Sequence, residues 1–138
     1  MVVDTVWPGW VPFKGFGEAE DTPAFIRAHD QILAIDFNTL VSGHVGRLGT
    51  RQDVEIQDQY VQDVQANTVE ALQAVGFADI AQQTGFENAW LLFDTFLSAV
   101  TQRCADVTEA KWTGRLAGAD VFTFDNCLKM TLSIAEFD

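Results

Sequence analysis

The sequence predicts an α+β fold, mostly helical, in which a short parallel strand pair in a βαβ unit packs with about four helices. Three observations lead there. Two short runs of β-forming apolar residues, 1–7 and 39–41, flank a segment with helical spacing. From residue 50 onward the apolar residues recur almost only at helical intervals. A chain of 138 residues that is 48% hydrophobic has enough apolar side chains for one core, so residues 1–138 are expected to form a single domain.

The first strand is expected over 1–7, where Val2, Val3, Val6 and Trp7 favour extended backbone and Pro8-Gly9 ends the run. Residues 10–20, with Pro12, Gly15 and Gly17, read as loop. Thr22-Pro23 suits a helix start, with threonine as the cap and proline in the first turn, and Phe25, Ile26, Ile32 and Leu33 carry its apolar stripe to about Ile35. The second strand follows at Thr39–Val41, giving a right-handed crossover. Thr50-Arg51-Gln52-Asp53 is a capping box with Asp in place of Glu, and Val54, Val61, Val64, Thr68, Leu72 and Val75 mark the helix behind it up to Gly76. Thr84-Gly85-Phe86-Glu87 is a second such box. It opens the most apolar pattern in the chain, Phe86, Trp90, Phe93, Leu97, Val100, Cys104 and Val107, which places Trp90 in the core or in a subunit contact. Val121, Phe122, Leu128, Leu132 and Ile134 mark a final helix over about 121–134.

Charge narrows the partners. With 20 acidic residues against 8 Lys and Arg, the formal net charge of -12 repels phosphate backbones and anionic bilayers, so neither nucleic acid nor a membrane is expected as a partner. No apolar run approaches the roughly 20 residues of a membrane span, and no signal-peptide pattern opens the chain, so a cytoplasmic location is expected. Cys104 and Cys127 lack a paired metal-binding spacing and read as two buried thiols, with a disulfide between them as the alternative in an oxidising compartment, for which nothing else in the sequence speaks.

The strand bearing Asp4, the Pro8–Phe13 loop, the strand ending in Gly43-His44 and the Gly46–Arg51 turn before a long helix resemble the C-terminal half of metallo-β-lactamase-fold hydrolases. The resemblance covers essentially the whole chain and implies half of an αββα sandwich. It also implies metal-ligand roles for two residues. Asp4 matches the carboxylate that commonly bridges two metal ions, and His44 matches the last histidine ligand. The histidine cluster of the family's N-terminal half has no counterpart in this sequence. Asp4 and His44 therefore make an incomplete site, hydrolase activity is not carried over, and no catalytic residue is assigned.

Beside these roles stand plainer ones. Asp4 and His44 also suit a strand-end carboxylate and a loop imidazole satisfied by neighbouring backbone. His29, next to Asp30 on the first helix, reads as exposed or partly packed. Trp7, Trp10 and Phe13 either line a ligand pocket or pin their loop to the core. Gly43–Gly49 is glycine-rich but lacks the spacing and lysine of a phosphate-binding loop. The expected function is accordingly a non-catalytic, homo-oligomeric protein, a dimer or larger, derived from a metallo-β-lactamase-like ancestor. The alternatives are a metal-dependent hydrolase completed by another subunit or a separate N-terminal polypeptide, and a small-molecule binding module. No cofactor is expected, and zinc only if a partner completes the site.

Overall fold

The computed structural model describes residues 1–44 and 46–137. Among them six helices follow in order: α1 (Lys14–Glu18), α2 (Thr22–Leu33), α3 (Arg51–Ala74), α4 (Phe77–Thr84), α5 (Ala89–Trp112) and α6 (Ala119–Phe137). The chain is 67% helical and the described residues contain no β-strand. The expected α+β fold with its βαβ strand pair, and with it the half of an αββα sandwich, is corrected to an all-helical fold.

The reason lies in where backbone groups find partners. Segments 1–7 and 39–41 do lie side by side, joined by one hydrogen bond in which Val2 N–H donates to the Val41 carbonyl at 2.9 Å. Further along, Trp7 N–H donates to Gln57 Oε1 at 2.8 Å, and Gln57 Nε2 donates to the Thr5 carbonyl at 2.7 Å. A side chain of α3 thus takes the groups that a neighbouring strand would pair, and no ladder propagates. Only isolated bridges remain, Leu40 with Gly49 and Trp10 with Ala117.

Helix α3 starts as its sequence predicts. Thr50 Oγ1 accepts from Asp53 N–H, and the Asp53 carboxylate accepts from Thr50 N–H at 2.8 Å. At α2 the cap is Asp21, one residue before the expected threonine, accepting from Ala24 N–H at 2.7 Å. The second predicted capping box does not form. Thr84 ends α4, Gly85 turns the chain at φ 75, and Asn88 caps α5. Helix α4 itself was not expected. It is eight residues long and packs Ile80 and Ala81 against Leu92 of α5.

The main core lies where α3, α5 and α6 meet, around Tyr60, Val64, Ala105, Trp112 and Met130, with Phe16 and Phe25 added from the N-terminal third. Cys104 and Cys127 are not free thiols but a disulfide joining α5 to α6, buried at the centre of this cluster. The buried face of α5 matches the expected stripe only in its middle, at Leu97, Val100 and Cys104. It runs through Leu97, Val100, Thr101, Cys104, Thr108 and Trp112, while Phe86 and Trp90 are 76% and 83% exposed. Threonine hides this face in the sequence. Thr101 and Thr108 are buried without cost to hydrogen bonding because each hydroxyl donates to the carbonyl four residues back, at 2.8 Å.

Candidate functional site

A cleft of about 600 Å³ opens beside the N-terminal segment, lined by Asp4, Trp7, Trp10, Val11, Phe13, Gly17, Glu18, His44 and Phe122. All five residues singled out in the sequence, Asp4, His44, Trp7, Trp10 and Phe13, lie around it.

Two buried amides hold its walls. Gln57, 1% exposed, clamps Thr5 and Trp7 as described, and its Nε2 also donates to His29 Nε2 at 2.8 Å. That contact fixes the imidazole as the tautomer whose Nδ1–H donates to the Phe25 carbonyl at 3.1 Å. His29 is fully buried rather than exposed or partly packed, and burial pushes its pKa below the ordinary 6.5. Trp7, held this way, is 7% exposed and forms the floor of the cleft.

Asn126 of α6 does the same for the opposite wall. Its Oδ1 accepts from Phe16 N–H at 2.7 Å, and its Nδ2 donates to the Pro12 carbonyl at 3.0 Å and to the Tyr60 hydroxyl at 3.1 Å. Burial pushes the Tyr60 phenol up to about 12, so it remains a neutral member of the network. The segment held here is a left-handed turn. Gly15, Phe16, Gly17 and Glu18 have φ of 57, 51, 68 and 60. Gly17 is needed twice over, for its φ and because a Cβ would stand 2.5 Å from the Trp7 ring.

Backbone strain is concentrated at this cleft. Among the described residues the non-glycine positions with positive φ are Asp4, Phe16 and Glu18, at 58, 51 and 60. Each left-handed non-glycine residue costs roughly 1–2 kcal/mol, less for Asp, and such residues persist where surrounding contacts impose them. Two of the three line the cleft and the third lies on the same turn as its wall.

Asp4 and His44 meet at the mouth, with His44 Nε2 at 2.6 Å from Asp4 Oδ1. The loop bearing His44 is closed by the Leu40–Gly49 bridge and braced by Arg47, which makes a two-pronged contact with Asp53 at 2.6 and 3.0 Å. Asp53 thus caps α3 and anchors the loop at once, and the Arg47 guanidinium holds its carboxyl down at about 2. Gly43 permits the close approach, since a Cβ there would stand 2.5 Å from Val3 Cγ1. Val45 of this turn lies outside the described residues.

The pair joins an imidazole nitrogen and a carboxylate oxygen, both suitable zinc donors. A catalytic zinc takes three protein ligands and an open position, and among the described residues no group of three His, Cys, Asp or Glu side chains is placed to hold a metal. Asp4 and His44 therefore fit a metal only as part of a larger donor set. Sequence reasoning missed Glu18 and Phe122 as lining residues and Gln57, His29 and Asn126 as the groups that position them. A signal existed for Gln57, which falls between Val54 and Val61 on the buried stripe of α3, where an unpaired amide would be costly. No family model, curated protein or solved structure matches the chain.

Proposed function

We propose that this chain supplies two ligands and one wall of a metal-dependent hydrolase site completed by another chain, and is non-catalytic by itself. Asp4 and His44 contribute two of the ligands, and the Trp7, Trp10 and Phe13 surface receives an apolar part of the substrate. The other ligands come from another subunit or a separate polypeptide. The observation that carries this reading is the 2.6 Å approach of Asp4 to His44 at the mouth of an aromatic cleft. Stability does not account for the pair. Both side chains are more than half exposed, where an ion pair contributes little, and Asp4 has a left-handed backbone. A zinc ion held in the completed site would supply Lewis acidity and an activated water. This chain's own residues hold and orient: Gly43 and Arg47 bring the imidazole to the carboxylate, and the aromatic floor excludes water beneath them.

A binding homo-oligomer is the second reading, favoured by Phe86, just before α5, and Trp90, in its first turn, which stand exposed and which a second copy would cover. For either reading the Cys104–Cys127 disulfide favours an oxidising compartment over the cytoplasm. No helix among the described residues is long and apolar enough to cross a membrane.

Zinc titration followed by calorimetry, with NMR of the His44 ring added for the unsubstituted chain, tests the first reading. Weak binding that disappears in Asp4→Ala and in His44→Ala is expected, strengthening when the completing chain is added, or with dimerisation if a second copy completes the site. Zinc binding unchanged in both variants, or none at millimolar zinc, would remove it.

A further inference from the structure

Another part of the cleft has a chemistry that the Asp4–His44 pair does not use. Trp10 and Phe122 converge on Gly118, where one added Cβ would stand 2.9 Å from the Phe122 ring and 3.4 Å from the Trp10 ring. Phe13 packs on Phe122 with ring centroids 5.2 Å apart, tilted by 58°. Three rings thus form one corner, and Trp10 and Phe13 remain 45% and 48% exposed there. Glu18, delivered by the left-handed turn, lines the same cleft. It has no ion-pair partner among the described residues, whereas Asp4 is engaged by His44. No Lys or Arg lines the cleft.

Aromatic faces attract cations through their quadrupole, most strongly where water is displaced, and a carboxylate beside them adds a counter-charge. An anionic ligand would meet Glu18 unopposed. A neutral apolar ligand would cover the rings but leave that carboxylate without a partner. We propose that the cleft takes an organic cation, an amine or quaternary ammonium group seated against Trp10, Phe13 and Phe122 with Glu18 as counter-charge. The proposal rests on reading the cleft as a substrate surface, and it names the class of substrate. The net charge of -12 assists by drawing such ligands toward the protein.

Choline and its neutral carbon isostere 3,3-dimethylbutan-1-ol separate charge from shape. Binding of each to the intact, metal-free chain is followed by tryptophan fluorescence and by the indole N–H resonances in NMR. Choline should bind at least tenfold more tightly than the isostere, Glu18→Gln should erase most of that preference, and Trp10→Ala should weaken both probes, with circular dichroism confirming that each variant is folded. Equal binding of the two probes, or preference for the neutral one, would overturn the cation assignment while leaving an apolar substrate surface. Binding of neither probe while zinc still reports on His44 would also overturn it, leaving the metal half-site in place. A choline preference unchanged in folded Glu18→Gln would remove Glu18 as the counter-charge and overturn the proposal as stated.

Discussion

Outside α2, the backbone between Met1 and Thr50 makes only scattered hydrogen bonds of its own and is fastened at Thr5, Trp7, Pro12 and Phe16 by side chains of α3 and α6, whereas from Arg51 onward it is held mainly by helical hydrogen bonds and by apolar packing. Gln57 and Asn126 each secure two backbone groups of the first region. In the second, Val64, Ala105, Trp112 and Met130 close the core between helices. Helices can lose a contact and keep their shape. A loop fixed at a few polar points loses its shape with one of them, so the cleft should be far less stable than the bundle that carries it.

The largest effect should fall in the bundle. Trp112 is fully buried, edge-on to Tyr60 at 5.6 Å, and its indole N–H donates to Asp63 at 2.7 Å. Trp112→Ala should cost about 3 to 5 kcal/mol in a urea melt and lower the stability of both regions together. Reducing the disulfide should come next, at about 3 kcal/mol, also global. A reduced protein that melts like the oxidised one would show that the α5–α6 packing needs no cross-link. Asn126→Ala should cost about 2 kcal/mol by leaving the Phe16 N–H and Pro12 carbonyl unpaired. Its signature is local: hydrogen-exchange protection should vanish at Phe16 while the amides of α5 keep most of theirs. Uniform loss across the chain would erase the distinction between the regions.

Acid should act through the same loop-holding network. Because burial lowers the His29 pKa, the unfolded chain binds a proton near pH 6.5 that the native state refuses until lower pH. Stability should therefore fall as pH drops from 6.5 toward the native value and level off below it, with nearby Asp58 and Asp30 moderating the shift. Urea melts at several pH values check the sign. The smallest effects belong to Trp90→Ala and His44→Ala, each within about 0.5 kcal/mol, since both side chains are largely exposed. The sequence pattern would have assigned Trp90 several times that.

Legibility followed the same division. Helices α2 and α3 could be read because caps and apolar spacing are local signals, and the Thr50–Asp53 box formed as written; α6 could be read as a helix, but Val121 and Leu132 of its apolar pattern are exposed and its buried side is built on Thr123, Asn126, Cys127 and Met130. The core face of α5 could be read only at Leu97, Val100 and Cys104, because buried threonines satisfy themselves within the helix while Phe86 and Trp90 extend the pattern onto an exposed surface. The strand pair failed for a longer-range reason: Gln57 is fifty residues from Trp7 in the chain and took its N–H. Asp4, His44, Trp7, Trp10 and Phe13 do share one cleft, because an isolated carboxylate, a glycine-flanked imidazole and aromatics in a proline loop are unusual side chains for the places they occupy. Glu18 was illegible, since nothing in a Gly-Phe-Gly-Glu run announces a left-handed turn.

Asn126 and Cys127 are neighbours on α6, one fastened to the loop at Phe16 and the other to α5 through sulfur. The two attachments therefore share a single lever arm. A slide or rotation of α6 at this turn would pull on the cleft wall within one residue of where it pulls on the cross-link, so cutting the sulfur bridge should soften a pocket that neither cysteine lines.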